Sequence, residues 1–199
     1  MAEVRARPLC GNCDEPLRRG EHACLGISPF NSYFSVERVA GWARWALATF
    51  ARVHLFVPDT AAAYTLEALG YSPERAAAKA RRQGRYLRNK IHRALRSLGV
   101  DEPDKMILDS AVLDQSDRYR TLHAQVRHNF DHHERFRGAC LAASRWVLEG
   151  RVPDPEMTDE QLRRAARYLL AELPLFLDTA SIVDARASVF CYHQAPPFL

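Results

Sequence analysis

The sequence predicts an α/β fold, a parallel sheet flanked by helices, organised as a single domain over residues 1–199. Three observations carry that expectation. Short apolar runs of strand length recur along the chain, each separated from the next by a segment of helical periodicity. Two of those runs end in reactive side chains: the first delivers Ser28, and the last finishes in Cys191-Tyr192-His193. Finally, 199 residues with 47% hydrophobic and 26% charged side chains suit one globular domain with a large core.

The segment 1–20 is polar and is expected to be flexible. A strand follows at 22–28, through Ala23, Cys24, Leu25, Gly26 and Ile27. Ser35 is a ready N-cap for a helix at 36–52. Val53-His54-Leu55-Phe56-Val57 reads as a second strand, and a short helix is expected at 60–69. Ser72-Pro73-Glu74 opens a long helix at 72–98, with a cap and then proline at the first helical position. Gly99 closes it. Met106-Ile107-Leu108 is a brief buried strand. One helix is expected at 116–149 and another at 159–176, with Val152-Pro153-Asp154-Pro155 as the turn between them. The last strand is placed at 187–193.

Strands separated by helices imply right-handed crossovers and a parallel sheet. Ligand crevices in such sheets lie at the carboxyl ends of the strands. If the first and last strands are neighbours, Ser28, Asn31, Tyr192 and His193 converge there. Taken alone, the same runs also fit a loop serine beside an ordinary sheet edge.

The net charge of +4 is unevenly distributed. Between Glu74 and Arg96 stand Arg75, Lys79, Arg81, Arg82, Arg85, Arg88, Lys90, Arg93 and Arg96 against a single acid, so the rest of the chain is net acidic. At about 100° per residue, Ala76, Ala80, Leu87, Ile91, Ala94, Leu95 and Leu98 fall on one face and the cations on the other. Charged helical faces normally mix signs. A ridge of one sign favours a polyanion, because each neutralised phosphate releases counterions. Nothing in the chain resembles a module that reads DNA bases, and the narrow apolar face suits a core better than a membrane surface.

Tyr168 and Glu172 are four apart and share a helix face with Ala165 and Leu175. A carboxylate on an inward face must be paired or put to use; a side chain reaching back to solvent is the competing reading. Five cysteines at irregular spacing read as reduced thiols rather than a disulfide framework. Cys10-x-x-Cys13 with His22 and Cys24 lacks the second well-spaced pair of a zinc ribbon. His123, His128, His132 and His133 lack a His-Glu-x-x-His arrangement, so no metal is expected. The chain carries no nucleophile elbow, P-loop or dinucleotide fingerprint, and no cofactor is expected. With no signal-peptide core and no membrane-length apolar run, a cytoplasmic location is expected.

Three motifs in register give these residues a wider context: Gly26-Ile27-Ser28-Pro29-Phe30-Asn31-Ser32-Tyr33-Phe34-Ser35, Tyr168-x-x-x-Glu172-x-Pro174-Leu175-Phe176, and Cys191-Tyr192-His193. Together with the basic helix between the first and second, they resemble the cyclodipeptide synthases over about residues 20–193. The trio Asn31, Tyr192 and His193 is similar to the Asn-Tyr-His subgroup. The resemblance implies a Rossmann-like domain similar to the catalytic domains of class I tyrosyl- and tryptophanyl-tRNA synthetases. It also implies aminoacyl-tRNAs as substrates; neither DNA nor a membrane is expected as a partner, no cofactor is expected, and the chain is expected to be a monomer.

In the implied mechanism Ser28 takes the first aminoacyl group as an acyl-enzyme, and Tyr168 and Glu172 hold its α-amino group. A second aminoacyl-tRNA extends it to a dipeptidyl-enzyme, which cyclises to a diketopiperazine. Tyr192 positions Ser28 and assists proton transfer, with Asn31 and His193 supporting the arrangement. The resemblance places the first side chain near Cys24, Gly26, Leu175 and Phe190, suggesting an apolar amino acid. It assigns tRNA contact to Arg81, Arg82, Arg85, Arg88, Lys90 and Arg93, although Asn89 and His92 dilute the family's arginine pattern. Family members continue beyond the equivalent of His193 with a segment that helps close the second substrate site; six residues follow it in this sequence. Two other functions are compatible with parts of the pattern: a non-catalytic tRNA-binding relative, and a serine acyltransferase or esterase for a small ester. The joint presence of Ser28, Tyr168, Glu172 and Tyr192 argues against the first. The basic ridge argues against the second.

Overall fold

A computed structural model describes residues 4–9, 11–149 and 157–194. A 3-10 turn at Gly11–Cys13 leads into α1 (Asp14–Arg19), so part of the segment expected to be flexible is helical. Then follow β1 (His22–Gly26), α2 (Val36–Thr49), β2 (Arg52–Phe56), α3 (Ala62–Ala68) and α4 (Pro73–Arg96). After a 3-10 turn come β3 (Ile107–Leu108), α5 (Ser110–Leu113), α6 (Asp117–His132), α7 (Glu134–Glu149), α8 (Asp159–Ile182) and β4 (Val189–Cys191).

All strand pairs are parallel, in the order β3-β2-β1-β4. The chain therefore winds outward from β1 through β2 to β3, then returns to place β4 on the opposite side of β1. That reversal makes the boundary between β1 and β4 the topological switch point. Leu25 is paired with Cys191, so the loops after both strands leave the sheet side by side.

Strand alternation builds the layers. Ala23, Leu25, Val53, Leu55 and Ile107 face α2 and α4, where Val39, Ala43, Leu87, Ile91 and Leu95 complete one core. Cys24, Phe56 and Leu108 face the other way, onto Leu113, Tyr119 and Leu175. A third cluster, including Val126, Phe130, Ala143, Ala166 and Leu170, joins α6, α7 and α8.

The helix signals in the sequence operate locally. Ser35 accepts from Arg38 N at 3.2 Å, and Ser72 accepts from Arg75 N at 3.4 Å. Thr158 and Gln161 form a reciprocal capping box at the start of α8. Gly84 joins the buried face of α4: a Cβ there would lie 2.6 Å from the Asp59 Cβ, so the glycine admits the loop after β2.

Two expectations are corrected. The single helix at 116–149 is two, because His133 takes an extended conformation (φ −113°, ψ 106°). The helix at 159–176 passes through Pro174 and continues to Ile182, interrupted at Asp178 (φ −159°, ψ 60°). Asp178 is held there by Arg118 at 2.7 Å, and its carboxylate accepts from Ser181 N at 3.1 Å, restarting the last turn. The turn expected at 152–155 lies outside the described residues. No helix among the described residues is long and apolar enough to cross a membrane.

Candidate active site

β1 stops at Gly26 rather than residue 28, so Ser28 stands in the loop beyond the strand. Likewise β4 stops at Cys191, leaving Tyr192 and His193 past its end. Ile27 N donates to Phe56 O at 3.0 Å, which keeps the start of the Ser28 loop against β2. Across the switch point, the Ser28 Oγ and Tyr192 Oη are hydrogen-bonded. Gly26 makes this approach possible: a Cβ at that position would lie 2.9 Å from Tyr192 Cδ2 and 3.0 Å from the Phe190 ring.

Asn31 braces the next layer. Its Oδ1 accepts from Tyr33 N at 2.9 Å, and its Nδ2 donates to His193 Nε2 at 3.2 Å. That polarity assigns the His193 proton to Nδ1, an atom that is buried without a hydrogen-bond partner among the described residues. The His193 ring lies between Tyr33, Phe34 and Tyr192, with centroids 4.9, 5.2 and 4.8 Å away. Burial lowers its pKa and keeps the imidazole neutral near pH 7.

Facing these loops, α8 presents Tyr168 and Glu172. Burial raises the Glu172 pKa to about 7, opposed by a hydrogen bond from Tyr168. Ser28, Asn31, Tyr168, Glu172, Tyr192 and His193 all line one cavity of about 530 Å³. More of its wall comes from Pro29 and Phe30 in the Ser28 loop, Ala62 and Thr65 on α3, Ala143, Ser144 and Trp146 to Glu149 on α7, and Ala165, Leu169 and Phe176 on α8.

Several of these lining residues escape sequence reasoning. Thr65, Ser144, Trp146 and Val147 reach the site only through the packing of α3 and α7 against α8, for which no local motif exists. Phe30 was visible only as part of the Ser28 motif.

Cys24, Leu175 and Phe190, placed near the first side chain by resemblance, are not in the cavity wall. They pack together behind it with Phe56 and Leu108, and Phe176 bridges to Phe190 at 4.4 Å between ring centroids. Burial raises the Cys24 thiol pKa well above its usual value. Gly26 serves the approach of Tyr192 instead of contacting the cavity.

The basic face of α4 divides in two. Arg81, Arg82, Arg85 and Arg93 are exposed, and none forms an ion pair among the described residues. Arg88 departs from the ridge: it pairs with Asp104 at 2.6 Å and with the largely buried Asp109. Lys90 also turns inward, donating to Phe34 O at 2.9 Å. These two cations tie α4 to the start of α5 and to the end of the Ser28 loop.

No group of three or more histidine, cysteine or acidic side chains is disposed for a metal among the described residues. His22 uses both ring nitrogens, on Ser188 Oγ at 2.7 Å and His54 Nδ1 at 2.8 Å. Cys10 lies outside the described residues.

Comparison with known proteins gives one family. Residues 4–199 match the cyclodipeptide synthase family model. The chain is 34% identical to a cyclo(L-tyrosyl-L-tyrosyl) synthase of Mycobacterium tuberculosis over 96% of its own length and 66% of the relative's. It is also 34% identical to a cyclo(L-leucyl-L-leucyl) synthase of Bacillus subtilis, covering 95% of this chain and 77% of that protein.

A cyclodipeptide synthase structure from Bacillus thermoamylovorans superposes with a TM-score of 0.87 at 34% identity, over 96% of this chain and 84% of that one. A second, from M. tuberculosis, relates cyclodipeptide synthases to type I tRNA synthetases; it superposes at 0.83 with 33% identity, over 96% and 81%. With the parallel sheet, the switch-point cavity and these matches in agreement, the chain belongs to the cyclodipeptide synthase family.

Proposed function

We propose that this protein is a tRNA-dependent cyclodipeptide synthase working by a ping-pong mechanism through an acyl-enzyme on Ser28. The observation that supports this reading most strongly is the convergence of Ser28, Tyr192, Tyr168 and Glu172 on one cavity. An aminoacyl-tRNA is already an activated ester, so a positioned nucleophile suffices. Ser28 Oγ attacks the ester carbonyl, and the tRNA 3′ oxygen leaves with a proton. The hydrogen bond between Ser28 and Tyr192 provides a route for that proton.

The α-amino group of the Ser28-bound aminoacyl unit then lies against Tyr168 and Glu172. A carboxyl with a pKa of about 7 can bind an ammonium as carboxylate and accept its proton. For the dipeptide to remain on Ser28, the freed amine attacks the ester carbonyl of the second aminoacyl-tRNA and expels the second tRNA. The new terminal amine attacks the Ser28 ester, closes the six-membered ring and restores the serine hydroxyl. Holding both reacting ends in one cavity gives this last step a high effective molarity.

The exposed cations Arg81, Arg82, Arg85 and Arg93 supply a surface for the tRNA backbone. The apolar cavity wall at Ala143, Val147, Leu148 and Leu169 favours apolar aminoacyl groups. A relative named for joining two leucyl units agrees with that preference.

The test is mass spectrometry of medium from bacteria expressing the chain, beside a Ser28→Ala control. The expected result is one or more diketopiperazines made by the unaltered protein and missing from the control. Soluble protein with no such product, or the same product from Ser28→Ala, contradicts the proposal.

A further inference from the structure

Phe30 occupies a backbone conformation that few bulky residues accept. Its φ is +57°, in the left-handed region, where a Cβ crowds the following carbonyl oxygen at a cost in strain. Glycine would sit there without strain. The ring does not offset that cost by burial: Phe30 is 37% exposed and belongs to none of the buried apolar clusters among the described residues. An aromatic ring is thus held at a strained turn and left open to solvent at the rim of the cavity, two residues from Ser28.

The surroundings of that ring point to its use. Lys79, near the start of the basic helix, holds its ammonium 6.0 Å from the Phe30 centroid. Tyr71 fixes the ammonium there, through a hydrogen bond of 2.8 Å to its hydroxyl and a ring centroid 4.4 Å away. An exposed aromatic face beside an anchored cation matches the chemistry of a nucleotide, a base to stack and a phosphate to neutralise. The ring lines the same cavity as the nucleophile and neighbours Lys79 of the cationic helix, within reach of a nucleotide that touches both.

We propose that Phe30 is the platform on which the terminal adenine of the aminoacyl-tRNA stacks, with Lys79 beside it on the adjoining phosphate. The proposal rests on the reading of aminoacyl-tRNA as substrate. With the ester carbonyl at Ser28 Oγ, the ribose bearing it sits at the cavity mouth and its base falls toward the Phe30 ring. Stacking there orients the ester for attack, so Phe30 is a positioning residue whose partner is the base.

The test is single-turnover acylation of Ser28 by semisynthetic aminoacyl minihelices, one ending in adenosine and one with an abasic terminal nucleotide. Phe30→Gly removes the ring while suiting the positive φ; Phe30→Trp keeps an aromatic face. Stacking predicts that the abasic substrate loses roughly 10- to 100-fold in kcat/KM with the unaltered protein. Phe30→Gly should lose a similar factor with the intact substrate and almost nothing more with the abasic one, while Phe30→Trp stays near the unaltered protein. If Phe30→Gly slows both substrates equally, or neither, the platform is wrong and Phe30 serves only the loop. If the unaltered protein accepts neither minihelix, the aminoacyl-tRNA reading itself fails, and the platform with it.

Discussion

Glu172 combines a costly burial with a clear proposed use. Its side chain is 8% exposed, and its carboxyl is raised from 4.5 to about 7 by desolvation. Because the folded-state pKa is above the unfolded one, the folded protein is favoured by protonation, and that contribution fades as pH rises from about 4.5 through 7. Glu172→Gln should therefore raise the melting temperature at pH 8 and leave it nearly unchanged at pH 4.5. The same variant should lower dipeptide formation by about 10- to 100-fold through loss of a charge-assisted bond to the amine. A Glu172→Gln protein with full activity contradicts the amine-binding role. Glu172 was readable as an inward carboxylate from its spacing with Tyr168, Ala165 and Leu175. Its depth was not, because burial depends on α3 and α7 closing over α8. Nor was the reason for Gly26 readable, since the Tyr192 ring it admits comes from the far end of the chain.

At the scale of the elements, α4 performs two tasks that its sequence presents as one. The apolar face was legible from periodicity, and all but Leu98 of the expected residues are buried. The basic face was legible only as charge: internal use of Arg88 and Lys90 depends on Asp104, Asp109 and the Phe34 carbonyl arriving from other segments. Reversing Arg81, Arg82 and Arg85 to Glu should weaken tRNA binding and make its salt dependence shallower by about 2 to 3 in log–log slope. Arg88→Gln should instead lower the melting temperature, because Asp109 loses its cation at the start of α5. Filter binding across a salt series and thermal unfolding separate these outcomes; an unchanged slope in the triple variant moves the tRNA surface elsewhere. The break between α6 and α7 was illegible for a different reason. Asp131-His132-His133-Glu134-Arg135 contains neither proline nor glycine, so nothing local announces a turn.

Across the whole molecule, the sheet separates function from foundation. The loops beyond the carboxyl ends of β1 and β4 carry Ser28, Tyr192 and His193, while His22 at the amino end of β1 bonds Ser188, just before β4, and His54 in the middle of β2. Burial lowers the His22 pKa to about 3 and the His54 pKa to about 4. The unfolded chain binds these protons first, so the stabilisation is complete above about pH 6.5 and is lost as pH falls through 4 and 3. His54→Gln, which keeps a hydrogen-bonding group and removes one titration, should flatten the fall in urea midpoint between pH 6.5 and 4. An undiminished fall places the acid sensitivity in other groups. The parallel α/β architecture was legible because each apolar run is separated from the next by helical segments. The strand order required the structure, since only pairing reveals that β4 returns to β1.

In the proposed cycle Ser28 carries the aminoacyl group. Intact-protein mass spectrometry after brief mixing with aminoacyl-tRNA reads that bond. The expected result is an adduct of one aminoacyl unit on Ser28, absent from Ser28→Ala and consumed as diketopiperazine appears. Product formed without a serine-bound adduct, or an equal adduct on the Ser28→Ala protein, would contradict it.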